Sequence, residues 1–257
     1  MASIPRRQFL ETTLLSAGAW AFQPKWGWGA SAKGVETVAS PIITGEEATA
    51  QPDLWALEVN FKPVRMIYVP LTDPKTGKRA KHLVWYLAYR ALVRTSSRVS
   101  EALDKNDERP LFVPEFTFVT YESEDYNLVS ERDGKPLQYA DQVLPEAVEA
   151  IKIRERNKNY RSSVDVVGPL PQLTPDKSKL QYSLDGVATW TGIDPDTDFF
   201  AVFMTGFSNG YKIDRHPDGE DVVLRRTLVQ KFWRPSDRYE QNEEEIRLKY
   251  DPYWVYR

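Results

Sequence analysis

Three aspartates at alternate positions, Asp194, Asp196 and Asp198, form the group best spaced for metal chemistry, because carboxylate oxygens crowded onto a short loop are what calcium takes as ligands. The loop lacks the glycine and the later glutamate that would complete an EF-hand, and Asp-Pro followed by Asp-Thr-Asp also builds a turn through side-chain to backbone hydrogen bonds. Calcium is the only cofactor the sequence suggests, with the turn as the competing reading. The two histidines, His82 and His216, have a spacing that selects no metal site. Glu115, Glu122, Glu124 and Asp125 offer carboxylates for glycoside hydrolysis, which needs two of them flanking one glycosidic bond. Nucleotide and zinc-protease chemistry are not expected, since there is no Gly-x-x-x-x-Gly-Lys and no His-Glu-x-x-His.

A different kind of chemistry is written at the start of the chain. Arg6 and Arg7 are followed by Gln8, Phe9 and Leu10, then by an apolar stretch from Thr12 to Phe22 and by Ala30-Ser31-Ala32. A charged head, a short apolar middle and a small-residue cleavage site are the parts of a signal peptide. The arginine pair with Phe9 and Leu10 matches the twin-arginine export signal, although Pro5 stands where Ser or Thr is usual and Glu11 where Lys is common. The expected organisation is a signal peptide over 1–32 cut after Ala32, with Ala30 and Ala32 as the small residues of the cleavage site, a linker over 33–51, and one domain over 52–257, periplasmic or secreted. The twin-arginine translocase is the expected partner during export. Thr12 to Phe22 falls short of the roughly 20 apolar residues that span a bilayer, so no stable transmembrane segment is expected.

Composition narrows the field. The absence of cysteine excludes disulfides, thiolate metal sites and thiol catalysis. Removing Arg6, Arg7, Lys25 and Glu11 with the leader leaves 31 basic against 36 acidic residues, and this acidic balance argues against a nucleic-acid partner. Trp55, Trp85, Trp190, Trp233 and Trp254 remain after the leader, and tryptophans in a strand-rich chain chiefly serve core packing.

The elements that must position any site are short apolar runs divided by Pro, Gly, Asp and Asn, the pattern of an all-β sandwich. Leu54 to Phe61 alternates as a half-buried strand, with Trp55, Leu57, Val59 and Phe61 on one side. His82 to Val93 is apolar on both faces and predicts a central strand covered on both sides. Phe199 to Phe207 predicts a second buried strand, and Val222 to Trp233 a long strand with one wet face. Pro145 to Arg156 is the one convincing helix, with Leu144, Val148 and Ile151 on its apolar side. Arg225-Arg226 and Glu243-Glu244-Glu245 read as solvated charge. The aromatic end, Tyr250 to Arg257, is expected to fold back onto the core. The fold class is therefore all-β, an immunoglobulin-like or related antiparallel β-sandwich with one short helix.

The twin-arginine head, the strands around Val84-Trp85-Tyr86-Leu87 and Asp198-Phe199-Phe200-Ala201-Val202-Phe203, and Phe207-Ser208-Asn209-Gly210-Tyr211 resemble uncharacterised twin-arginine-signal exported proteins of planctomycete-type bacteria. The resemblance implies export and carries no activity. The expected function is a non-catalytic periplasmic binding or structural domain whose partner is an envelope protein or glycan. The alternative is a secreted glycan-acting hydrolase using paired carboxylates.

Overall fold

The computed structural model describes residues 36–73, 75–93, 109–126, 137–170, 183–215, 219, 221–235 and 246–257. The export-signal residues Arg6, Arg7, Phe9 and Leu10, the cleavage residues Ala30 and Ala32, and His216 lie outside them. The described residues form a mainly antiparallel β-sandwich of 14 strands with two helices.

One sheet has β1 (Thr37–Ala39), β2 (Glu58–Phe61), β4 (Arg79–Leu92), β10 (Ser183–Trp190) and β8 (Arg161–Ser162) in that order, with β3 (Arg65–Thr72) following β2 along the same edge of β4. The other has β12 (Tyr211–Arg215), β13 (Asp221–Trp233), β11 (Phe199–Thr205), β6 (Glu115–Tyr121) and β7 (Gln138–Ala140), with β14 (Arg247–Tyr256) on the free edge of β13. A small ribbon of β5 (Leu111–Phe112) and β9 (Gly168–Pro169) stands apart. Among the described residues only β8 and β10 pair in parallel.

The double apolar character of β4 has a direct structural cause. Its side chains alternate between faces, and both faces are covered. Trp85, Leu87 and Tyr89 point between the sheets, where Trp85 meets Phe118 and Phe200 edge-on at 5.6 and 5.7 Å and those two rings stack at 4.5 Å. Val84, Tyr86 and Ala88 point the other way, against Ala147, Val148 and Ile151 of helix α2 (Pro145–Glu155). Proline starts that helix, where its missing N–H is harmless, and Arg156 ends it in the left-handed region at φ 54°. Glu155 at its last position is buried and accepts hydrogen bonds from Lys62, Arg65 and Tyr86, locking the helix to β3 and β4.

The structure departs from the sequence expectations in three places. Strand pairing in the Leu54 to Phe61 run begins only at Glu58; Leu54, Trp55, Ala56 and Leu57 are buried together and cross to the second sheet, where Ala56 bridges Ser208 and Leu57 N–H donates to Phe207 O at 2.8 Å. The segment expected to be a linker is folded: β1 pairs with β2 and is followed by helix α1 (Gly45–Ala50). Arg226, expected in solvent, is 2% exposed, whereas Arg225 is about half exposed and pairs with Glu115 at 2.8 Å. The alternation of β13 places Arg226 on the inward side with Leu228 and Phe232, at the end of the sandwich that residues 37–50 cover. We call residues 37–50 the strap.

Candidate functional site

The site is built from the strap upward. Thr44 caps α1: its hydroxyl accepts from the Glu47 N–H at 3.2 Å, and Glu47 Oε2 accepts from the Thr44 N–H at 2.8 Å, a capping box that fixes the glutamate rotamer. The other oxygen, Oε1, is thereby turned toward the second sheet. It accepts from Arg226 Nε at 3.1 Å and from the Tyr256 hydroxyl at 2.7 Å. Arg226 Nη2 donates to the carbonyl oxygen of Ile42, and the guanidinium lies over the Trp254 ring at 4.5 Å. Trp254 Nε1 donates to Ser40 O at 3.1 Å. Strap, β13 and β14 are thus joined through one buried arginine, whose remaining nitrogen, Nη1, is buried without a hydrogen-bond partner.

Electrostatics follow from this packing. Burial pushes the Glu47 carboxyl up, but the Thr44 backbone N–H, the Tyr256 hydroxyl and Arg226 together outweigh it and hold the group below its ordinary value. Burial and the hydrogen bond to Glu47 push the Tyr256 hydroxyl up to about 12. A carboxylate kept ionised, with both oxygens already accepting, suits a fixed wall better than proton transfer, which needs a group poised near the working pH.

A cavity of about 650 Å³ opens beside this wall, within the size range of small-molecule sites. Its walls include Arg226 and Trp254, with Val38, Ile42 and Tyr253 at half to two-fifths exposure or more. Asp251 adds a second carboxylate to the lining. A smaller hollow of about 300 Å³ lies on the other side of Glu47, lined by Gln51, Tyr211, Lys212 and Tyr256 among others. The aromatic C-terminal stretch folds back as expected, as edge strand β14, yet it also supplies one side of this cavity.

The residues singled out in the sequence lie elsewhere. Asp194 Oδ1 accepts from the Asp196 N–H at 3.0 Å, and the Thr197 N–H donates to Asp194 O at 3.1 Å, which is the turn reading of this loop. Burial raises the Asp198 carboxyl more than the nearby Arg234 guanidinium lowers it. Among the described residues no three His, Asp or Glu side chains converge as metal ligands. Glu115 pairs with Arg225 and Glu124 with Lys249, each on its own cation. His82 is exposed on β4, opposite Val69.

Gly206-Phe207-Ser208-Asn209-Gly210 spells the Gly-x-Ser-x-Gly pattern of a nucleophile elbow, which the strand reading of this stretch conceals. The surroundings are not those of an elbow, because β11 leads through it into β12 rather than into a helix. The Ser208 hydroxyl donates to Trp55 O at 2.5 Å and accepts from the Gly210 N–H at 3.1 Å, so it clamps the crossing segment to the second sheet.

Two signals in the sequence point to the strap site. Thr44-Gly45-Glu46-Glu47 has the Ser/Thr-x-x-Glu spacing of a capping box inside what otherwise reads as a linker. Arg226 occupies the inward register of β13 between Leu224 and Leu228, where a charge requires a partner. Compared with family models, with curated proteins and with solved structures, the chain finds no match, so the function must be read from this geometry.

Proposed function

We propose that the protein is exported under its twin-arginine leader and acts, in the periplasm or outside the cell, as a non-catalytic binding domain whose ligand occupies the cavity between the strap and β14. The observation that carries this reading is the wall itself. A buried arginine is held by Glu47, the Ile42 carbonyl and the Trp254 ring, so the cavity is lined by groups whose positions are set before a ligand arrives. Pre-positioned polar groups beside exposed apolar side chains are the features of a binding pocket, since they reduce the entropy lost on association. The resemblance to exported planctomycete-type proteins supports the cellular setting. Among the described residues no helix is long and apolar enough to cross a membrane.

The test is purification of the protein from its native periplasm under gentle conditions, with native mass spectrometry of what accompanies it. Ile42 is 66% exposed, so Ile42→Arg narrows the cavity without touching the core. A stoichiometric molecule that is lost in Ile42→Arg is the expected result; one retained at wild-type occupancy would place binding elsewhere. Export is checked separately. With Arg6→Lys and Arg7→Lys together, full-length precursor is expected to accumulate in the cytoplasm, and undiminished export would overturn the twin-arginine assignment.

A further inference from the structure

We infer that the strap cavity takes a neutral saccharide unit, and this inference rests on the reading of that cavity as the binding site. The chemistry of the lining makes three demands on a ligand. First, Arg226 lines the cavity, and its Nη1 is a buried donor with no partner; a buried unpaired N–H is costly, so this wall favours a ligand that brings an acceptor oxygen. Second, Asp251 is an exposed carboxylate on the same lining, and an ionised carboxylate only accepts, so the ligand must also carry donors. Third, Val38, Ile42 and Tyr253 present exposed apolar surface, which favours a ligand with a flat C–H face.

Charge then selects among ligands. The one guanidinium is already paired with Glu47, and Asp251 makes the lining net negative, so an anionic ligand meets repulsion. A simple protonated amine, without hydroxyls, satisfies Asp251 but offers no acceptor to Arg226. A neutral sugar ring meets all three demands at once, since each hydroxyl both donates and accepts while the ring presents C–H groups on its face. Ser40 and Thr37 line the same cavity and add hydroxyls of their own.

The experiment follows the Trp254 indole N–H by NMR, assigned by its loss in Trp254→Phe, while the full domain is titrated with glucose, galactose, N-acetylglucosamine and short oligomers of each. Glucuronate and glucosamine serve as charged comparisons. Titration to about 10 mM covers a Kd near 1 mM. Saturable shifts with at least one neutral sugar, weakened about tenfold by Asp251→Asn and by Tyr253→Ala, are expected. Both substitutions are at exposed positions on the edge strand, so the circular-dichroism melt should not move. No shift with any neutral sugar, or affinities unchanged in both variants, overturns the inference. Binding of glucuronate or glucosamine in place of the neutral sugars overturns the neutral assignment while leaving the cavity as a saccharide-binding site. A ligand retained by Ile42→Arg overturns the cavity reading itself.

Discussion

Glu155→Gln is expected to destabilise the domain by about 2–3 kcal/mol, seen as a fall in Tm of about 4–12 °C for a chain of this size. Glu155 ends helix α2, where the helix dipole is already negative, so a carboxylate there is unfavourable unless cations surround it. Lys62 at 2.7 Å and Arg65 at 2.8 Å provide them, and the Tyr86 hydroxyl donates at 2.8 Å. The glutamate side chain is 1% exposed while those of the two cations are 19% and 24% exposed. Breaking a fully buried pair costs about 3–5 kcal/mol, and the partial solvation of Lys62 and Arg65 brings the expected figure below that range. Glutamine keeps the shape but leaves two like charges facing a neutral amide.

The same network predicts a pH signature. Burial pushes the Glu155 carboxyl up, but the hydrogen bonds from Lys62 and Tyr86 and the charge of Arg65 prevail and hold it below its ordinary value of 4.5. A carboxyl with a lowered folded-state pKa stabilises the protein fully above the unfolded value, and that contribution is lost as pH falls through the folded one. The gap in stability between wild type and Glu155→Gln should therefore hold above about pH 5 and shrink in more acid solution. Urea unfolding from pH 7 downward reads it directly. A gap that stayed constant across the acid range would mean that the glutamate charge is not what the variant removes.

How far the sequence discloses the fold depends on which rule each segment obeys. The run His82 to Val93 and the helix from Pro145 are legible because both obey periodicity. β4 is apolar without a break from Leu83 to Tyr89, since α2 and the second sheet each cover one face there, and α2 shows the apolar side that it buries. The strap is not legible in that way. Its largest apolar side chains are poorly covered, Val38 and Ile42 largely exposed and Ile43 half-buried, with only Ala39 and Ala48 buried; besides the β1–β2 pairing, a capping box, an ion pair and the Trp254 indole donating to Ser40 hold it. The capping box is local, but the Glu47–Arg226 pair joins residues nearly 180 positions apart, and local periodicity does not encode it. The site is hidden for the same reason. Arg226 reads as solvated because it neighbours Arg225, and only its register within β13, on the side of Leu228, turns it inward. The aspartates of 194–198 are ambiguous in the sequence, since the spacing that suits calcium also suits a turn that hydrogen-bonds to itself, and the structure shows the bonds of that turn.

Gly206→Ala is expected to cost at least about 3 kcal/mol, combining backbone strain with a clash that cannot relax. Gly206 ends β11 at φ +88°, in the left-handed region where a side chain is strained whatever the space around it. A Cβ there would also fall far inside van der Waals contact with the Val113 carbonyl oxygen, 2.8 Å from Val113 C and 3.1 Å from Pro114 Cα. Those atoms are backbone joining β5 to β6, and Phe207, the next residue, is held by the Leu57 N–H at 2.8 Å, so neither side can withdraw cheaply. Gly192 separates the two causes, because it has φ +78° with nothing near the added Cβ. Gly192→Ala should cost only the backbone term, about 1 kcal/mol. The difference between the two variants in urea unfolding measures the clash, and equal losses would show that the Val113 segment yields. The loss at Gly206 reaches the site as well, since this glycine starts the 206–210 segment in which Asn209 Oδ1 accepts from the Trp55 N–H at 2.7 Å and Gly210 O accepts from the Arg226 N–H at 2.7 Å. In protein that still folds, Gly206→Ala should therefore weaken ligand retention in the strap cavity, whereas Gly192→Ala should leave it unchanged.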